Sequence, residues 1–301
     1  MEIANSNHRL VLGTAQFGMT YGIANQNGRP DPKKVKEIIQ EAWVRGVGTF
    51  DTAQGYGNAE NVLGEVFKTL GIGKDARVIS KFSHYMDHMD TEVMNAELEK
   101  SLDRIGIHHF WGMMLHSESL IPLWEQGLRK IFQGFIDKGK VKRVGISVYT
   151  PENAINALQL EGIDFVQIPG NIFDRRFEKK GVFDMAEKLD KRVHIRSIFL
   201  QGLMLMPIDS IPSKMNYVKP YIEKLIEISS LFGLSREALA MGFVKQAYSN
   251  SHILFGVESL SQIRENLSHW ENEIPGELVT KVLHLLKDVP NNITNWNLWP
   301  K

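Results

Sequence analysis

GTFDTAQGYGNAENVLGEVF (residues 48–67) runs from a strand through a tight turn into a helix. The run Thr49 to Ala53 carries a carboxylate, Asp51, at its end. Gly55 and Gly57 flank Tyr56 in the turn, and the helix begins near Asn58 with Val62, Leu63, Val66 and Phe67 on its inner side. A carboxylate at a strand end and a phenol in the following loop suit acid chemistry. Taken alone, the same two residues also read as a turn cap and a packed loop aromatic.

The strand–turn–helix unit recurs on both sides of this stretch. Strand-like runs fall at 10–18, 77–82, 110–117, 143–149, 164–171, 192–202 and 252–259. Helical patterns lie between them. Asp31 caps one with Pro32 at its first position, Asp90 or Thr91 caps another, Pro122 opens a third, and Thr150-Pro151 starts a fourth. Further helices are expected near 177–189, 220–232 and 235–248, and from Gln262 to Trp270, before an irregular tail, DVPNNITNWNLWPK. Strict alternation of strand and helix implies a parallel sheet. Eight such units in 301 residues predict an α/β fold, a (β/α)8 TIM barrel forming a single domain over residues 1–301. An open doubly wound sheet would carry GxGxxG after its first strand; GTAQFGMTYG does not fit it.

Composition narrows the function classes. Lys plus Arg and Asp plus Glu are both 35, so zero net charge offers no general attraction to nucleic acid or an anionic membrane. Cysteine is absent. That excludes thiolate nucleophiles, disulfides and cysteine-held zinc, and it fits a cytoplasmic protein. MEIANSNHRLVLG lacks the apolar stretch of a signal peptide, and no run reaches the 18 apolar residues of a membrane span.

In a barrel of this kind the active site lies where the strands end. Asp51 ends the second strand, Lys81 the third and His116 the fourth, with Tyr56 in the loop after the second. A lysine buried there needs a partner, and Asp51 is the natural one. A nearby ammonium is expected to lower the phenol pKa of Tyr56 and fit it for proton donation. His116 is placed to hydrogen-bond a substrate oxygen. His84 and His88 have metal-ligand spacing but lie in a polar segment, HYMDHMD, without a third ligand, and no metal site is expected. DRRFEKK (174–180) reads as a surface ion network.

These residues resemble the aldo-keto reductase superfamily, over essentially the whole chain. The pattern DTAxxYGxxE is present as Asp51, Thr52, Ala53, Tyr56, Gly57 and Glu60, with ISK (79–81) and LHS (115–117) supplying the lysine and histidine strands. The resemblance implies a catalytic tetrad of Asp51, Tyr56, Lys81 and His116 and a nicotinamide cofactor extended across the barrel mouth. It carries cofactor contacts onto Thr14 and Asp51, and onto Ser147, Gln167 and Asn171 at the carboxamide end. Ser197, Phe199, Gln201 and Gly202 fall at the pyrophosphate, and Gly256, Gln262, Glu265 and Asn266 at the adenosine end.

Three positions depart from the family pattern. Val148 replaces an asparagine, Arg196 replaces the aromatic that stacks on the nicotinamide, and Glu258 stands where NADPH-preferring members often place Ser, Lys or Arg. A guanidinium can stack but disfavours the oxidised, cationic ring. A carboxylate repels a 2′-phosphate yet accepts ribose hydroxyls. NADP (NADPH) is the family default, and Glu258 makes NAD (NADH) a serious rival. The implied reaction is reduction of a small-molecule aldehyde or ketone, with a sugar-derived aldehyde among the candidates. Met19, Tyr21, Trp296 and Trp299 lie on loops positioned to wall the substrate pocket. The alternative is a cofactor-sensing regulatory subunit on the same barrel with negligible turnover.

Overall fold

A computed structural model describes residues 6–300. The first five residues, part of the segment expected to carry no export signal, and Lys301 lie outside the described residues. Eight strands form the wall: β1 Leu10–Gly13, β2 Thr49–Asp51, β3 Arg77–Lys81, β4 Gly112–Leu115, β5 Val144–Ser147, β6 Phe165–Pro169, β7 Arg192–Arg196 and β8 His252–Gly256. They pair in sequence order, all parallel, and β8 returns to β1 with Leu10 opposite Ile253 and Gly13 opposite Gly256. This is the closed (β/α)8 barrel expected from the alternation.

The principal helices are α1 Pro32–Val44, α2 Ala59–Leu70, α3 Thr91–Ile105, α4 Arg129–Asp137, α5 Pro151–Gln159, α6 Val182–Lys188, α7 Lys219–Leu231, α8 Arg236–Ala247, α9 Leu260–Glu271 and α10 Gly276–Leu285. Their starts follow the polar caps in the sequence, since a side-chain oxygen there satisfies an orphan N–H of the first turn. Asp31 accepts from Lys34 N at 2.9 Å, and Thr150 from Asn153 N at 3.3 Å. The main core lies between the strands and the helices, with Val35, Ile38, Leu63, Phe67, Leu98 and Leu102 among its buried members. A smaller cluster, Ile79, Met114 and Phe165 with Trp111 against it, fills the inside of the barrel.

The strands are shorter than their apolar runs. The run 10–18 leaves the sheet at Gly13, and Ala15–Gly18 is a helical turn. The run 192–202 stops at Arg196, because Ser197, Leu200 and Gln201 take positive φ (62°, 51° and 55°), which no strand accommodates. Pro122 lies inside a 3-10 segment, Glu118–Leu123, and the chain then passes through a π-helical turn kinked at Gly127 before α4. The segment 177–189 is split: Arg176–Lys179 and α6 are separated by Gly181 at φ 71°. Helix α10 has no counterpart in the sequence reading, and short helical turns, Asn291–Thr294 and Trp296–Leu298, break the tail. Among the described residues, no helix is long and apolar enough to cross a membrane.

Candidate functional site

The strand ends bring Asp51, Lys81 and Gln167 together inside the mouth. Lys81 Nζ donates to Asp51 Oδ1 and, at 2.9 Å, to Thr52 O. Gln167 Nε2 donates to Asp51 Oδ2 at 2.7 Å. Both ions are buried, Lys81 at 0% and Asp51 at 2% exposure, so each carboxylate oxygen needs the donor it has. Thr14 Oγ1 donates to the Asp51 carbonyl at 3.0 Å and ties β1 to the same point.

The Tyr56 turn sits on this base by close backbone contact. A Cβ on Gly18 would lie 1.8 Å from Tyr56 O, so only glycine lets the β1 loop pass beneath the turn. The Lys81 ammonium lies over the Tyr56 ring, 5.0 Å from its centre. His116 meets the ring edge-on at 5.8 Å and stacks at 4.4 Å on His84. His116 Nδ1 is buried with no partner, and burial, then Lys81, His84 and Arg196, push the imidazole pKa down to about 2. His116 is therefore a neutral hydrogen-bonding group. Burial first, and then the Asp51 carboxylate, raise the Tyr56 phenol above its ordinary value. The expected lowering by Lys81 is not found here. Burial outweighs that ammonium, which lies 5.0 Å from the ring centre and is paired with Asp51.

Glu60, the last residue of the motif, has a structural post instead. Its oxygens accept from Ser80 Oγ (2.8 Å), Ser101 Oγ and Arg104 Nε (2.8 Å), locking the start of α2 to β3 and α3.

A cavity of about 390 Å3 runs from Asp51 and Tyr56 past Arg196, Ser197 and Phe199 to Glu258 and Asn266. Thr14, Tyr21, Gln167, Gln201, Gly202, Gly256, Gln262 and Glu265 also line it. Gln16, Gln26, Ser210 and Glu237 line it too and were not foreseen. Gln16 lies against the bare backbone of Gly256, where a Cβ would come within 2.4 Å of its amide. The glycine of β8 facing GTAQ across the β1 pairing was the available signal. Ala24 N reaches Gln201 O at 3.5 Å, so the β1 loop bridges the β7 loop above the cavity.

Other expected residues stand apart from the cavity. Asn171 spends its amide on the Ser197 carbonyl (3.0 Å) and on the Phe173 and Asp174 N–H groups, shaping the loop after β6. Ser147 is buried at the end of β5 outside the cavity lining, and Met19, 39% exposed, is not part of that lining either. Trp299 packs on the barrel's outer core and donates to Ile293 O at 3.0 Å, whereas Trp296 approaches the mouth through Tyr149, 6.1 Å away. The Arg196 guanidinium does stack, but on Tyr149, at 4.3 Å. His88 is buried at 5%, so HYMDHMD is not wholly solvated. Among the described residues no cluster of metal ligands exists. Residues 174–180 do form ion pairs, Arg175 with Glu178 and Arg176 with Asp174.

At the far end of the cavity, Glu258 is half-buried, and burial raises its carboxyl pKa. Arg264, the one cation near it in sequence, turns away to Glu41 of α1 at 3.1 Å.

The sequence pattern of the Aldo/keto reductase family matches residues 9–286. The chain is 24% identical over 323 aligned positions to pyridoxal 4-dehydrogenase of Microbacterium luteolum, covering 90% of this chain and 92% of that protein. It is 25% identical over 181 positions to the aldo-keto reductase YhdN of Bacillus subtilis (strain 168), covering 57% of this chain. That match spans about half of the Bacillus protein, 52%. The solved structure of the thermostable aldo-keto reductase Tm1743, in complex with the inhibitor epalrestat, superposes with a TM-score of 0.70 at 20% identity, covering 92% of this chain and 94% of that one. At that identity the likeness speaks for the fold. With the family pattern spanning β1 to α10, the chain belongs to the aldo/keto reductase family and is an NAD(P)-dependent oxidoreductase.

Proposed function

We propose that the protein reduces an aldehyde or ketone to an alcohol, with the cofactor lying along the cavity from Tyr56 to Asn266. One observation carries this reading: the buried Asp51–Lys81 pair lies directly beneath Tyr56, with a neutral His116 at its edge, at one end of an elongated cavity. The cavity fits a dinucleotide in kind, with the irregular loop Ser197 to Gly202 and the polar side chains of Gln262, Glu265 and Asn266 along its length. A bound reduced nicotinamide supplies the hydride.

The chain's own residues handle the proton and the carbonyl. Tyr56 holds the proton for the developing alkoxide, and its raised pKa keeps it charged with that proton throughout the neutral range. The Lys81 ammonium over the ring steadies the phenolate left behind, and Asp51 holds Lys81 in place. His116, uncharged, orients the carbonyl by hydrogen bonding.

We further propose NADH over NADPH. Glu258 offers a carboxylate where a 2′-phosphate would lie, and Arg264 is already committed to Glu41. A cytoplasmic location accompanies this reading, from the cysteine-free sequence. The test is consumption of NADH and NADPH with a panel of aldehydes, among them sugar-derived aldehydes and pyridoxal, the compound named in a relative. Tyr56→Phe should abolish turnover and leave cofactor binding nearly intact. Equal loss of both would make Tyr56 structural, and binding without turnover on any carbonyl would favour the sensor.

A further inference from the structure

His84 and His88, in HYMDHMD after β3, take no part in the chemistry above, and the structure sends them in different directions. His88 turns inward. It is buried at 5% and hydrogen-bonds to the backbone of Ser83 and Met86. His84 is exposed and lies flat on His116, with ring centres 4.4 Å apart and planes 22° apart. Neither His84 nor His116 lines the cavity given to the cofactor, so their stack leaves that space free.

The loop carrying His84 is tied to both of its neighbours. Gln54 holds one of the unspecified positions in DTAxxYG, two residues before Tyr56. Its side-chain oxygen accepts from Ser83 N at 2.9 Å, and its amide donates to Glu97 O of α3 at 3.1 Å. Its own N–H donates to Lys81 O at 3.0 Å. One residue thus sets the loop after β3 against the turn that presents the phenol. Phe82 N donates to Met114 O at 3.1 Å, which fixes the same loop against β4, two residues before His116.

An imidazole that works through one nitrogen is ordinarily oriented by a hydrogen bond from the other. His116 Nδ1 is buried and has no such partner. The torsion that turns the ring is soft, so ring contacts have to set its plane. Tyr56 meets the ring edge-on at 5.8 Å and 80°, and His84 covers a face.

We propose that His84 is the positioning residue for His116. The stacked ring stands in for the missing hydrogen bond and keeps the His116 edge turned to the carbonyl oxygen at Tyr56. It acts through His116 and contributes no proton of its own. This rests on the role given to His116 in the reductase reading above.

The test compares His84→Ala, which removes the ring, with His84→Phe, which keeps a face to stack on His116. Each is assayed with pyridoxal and glyceraldehyde at saturating cofactor, NADH or NADPH as the wild type consumes it. His84→Ala should lower kcat roughly threefold to tenfold, the range a stacked ring pair is worth. His84→Phe should stay within about twofold of wild type. Cofactor affinity, read by protein fluorescence, should not change in either, and an exposed side chain should leave the melting temperature in place. On top of His116→Ala, removing His84 should cost nothing further, since residues acting through one another are not additive. The proposal is overturned if His84→Ala keeps the wild-type kcat, if His84→Phe falls as far as His84→Ala, if cofactor affinity falls in step with kcat, or if His84→Ala costs its full factor again in the His116→Ala background. A wild type that reduces neither aldehyde, or a His116→Ala variant with undiminished kcat, overturns the reading of His116 itself, and this inference with it.

Discussion

Deleting one half of the buried ion pair separates what Lys81 does for the fold from what it does for the reaction. Lys81→Met keeps the apolar stem and removes the ammonium. Asp51, 2% exposed, is then left with Gln167 at 2.7 Å as its side-chain donor. Stripping one partner from a buried pair costs about 3–5 kcal/mol. The unfolding entropy of about 2.1 cal/mol/K per residue gives about 0.63 kcal/mol/K for 301 residues. Tm should therefore fall by about 5–8 °C. Adding Asp51→Asn removes the stranded charge and keeps an acceptor for Gln167, so the double variant should recover to within about 1–2 kcal/mol of the parent. Urea denaturation reads this as a midpoint that falls and then returns at constant slope. Carbonyl reduction, measured alongside, should stay lost in both. If the two single losses simply add, the ions do not act as a pair. If the double variant regains turnover, Lys81 has no part in the chemistry.

Glu60→Ala should destabilise the protein by about 3–5 kcal/mol, because Arg104, Ser80 and Ser101 all lose their acceptor; a denaturation midpoint close to wild type would contradict the clamp. Glu258→Ser should raise affinity for NADPH relative to NADH by roughly tenfold, read by protein fluorescence, and a wild type already favouring NADPH would refute the role given to Glu258.

Acid should destabilise the fold from pH 6.5 downward. Burial is the first cause holding His116 to about 2, His252 to about 4 and His194 well below its usual value. Each accepts a proton in the unfolded chain near pH 6.5 and not in the native one. Stability is thus full above that pH and falls below it by up to about 1.4 kcal/mol per pH unit for each histidine. A melting temperature that stays flat from pH 7.5 to 5 would show that these imidazoles are not buried neutral.

The barrel was legible because alternation and capping are local. Asp31, Asp90 and Thr150 each mark a helix start that the structure keeps. Strand ends were overextended where apolar residues serve something other than the sheet: Ile198 and Leu200 are buried beneath a loop of left-handed turns. In the site, the meeting of Asp51 with Lys81 followed from strand order, and its bond to Gln167 across the barrel did not, because closure sets that distance. The direction of the Tyr56 shift was missed for a related reason. A sequence shows that a lysine is near but not how deeply the phenol is buried beside the Asp51 carboxylate. Sequence proximity likewise does not show that Arg264, the cation nearest Glu258 along the chain, is given to Glu41 by the packing of α9 on α1.

The clamp at Glu60 reaches beyond its own motif. Its acceptors hold a hydroxyl on β3 and, some forty residues along the chain, a hydroxyl and a cation on α3. None of those partners is part of the pattern that makes the stretch recognisable. Their identities are nonetheless coupled to it, since an apolar residue at position 60 would strand three donors at once. Across sequences sharing DTAxxYGxxE, positions 60, 80, 101 and 104 should therefore drift together, and a relative that has lost the acid should also have replaced both serines and the arginine. That signature of coupled change can be sought in sequences alone.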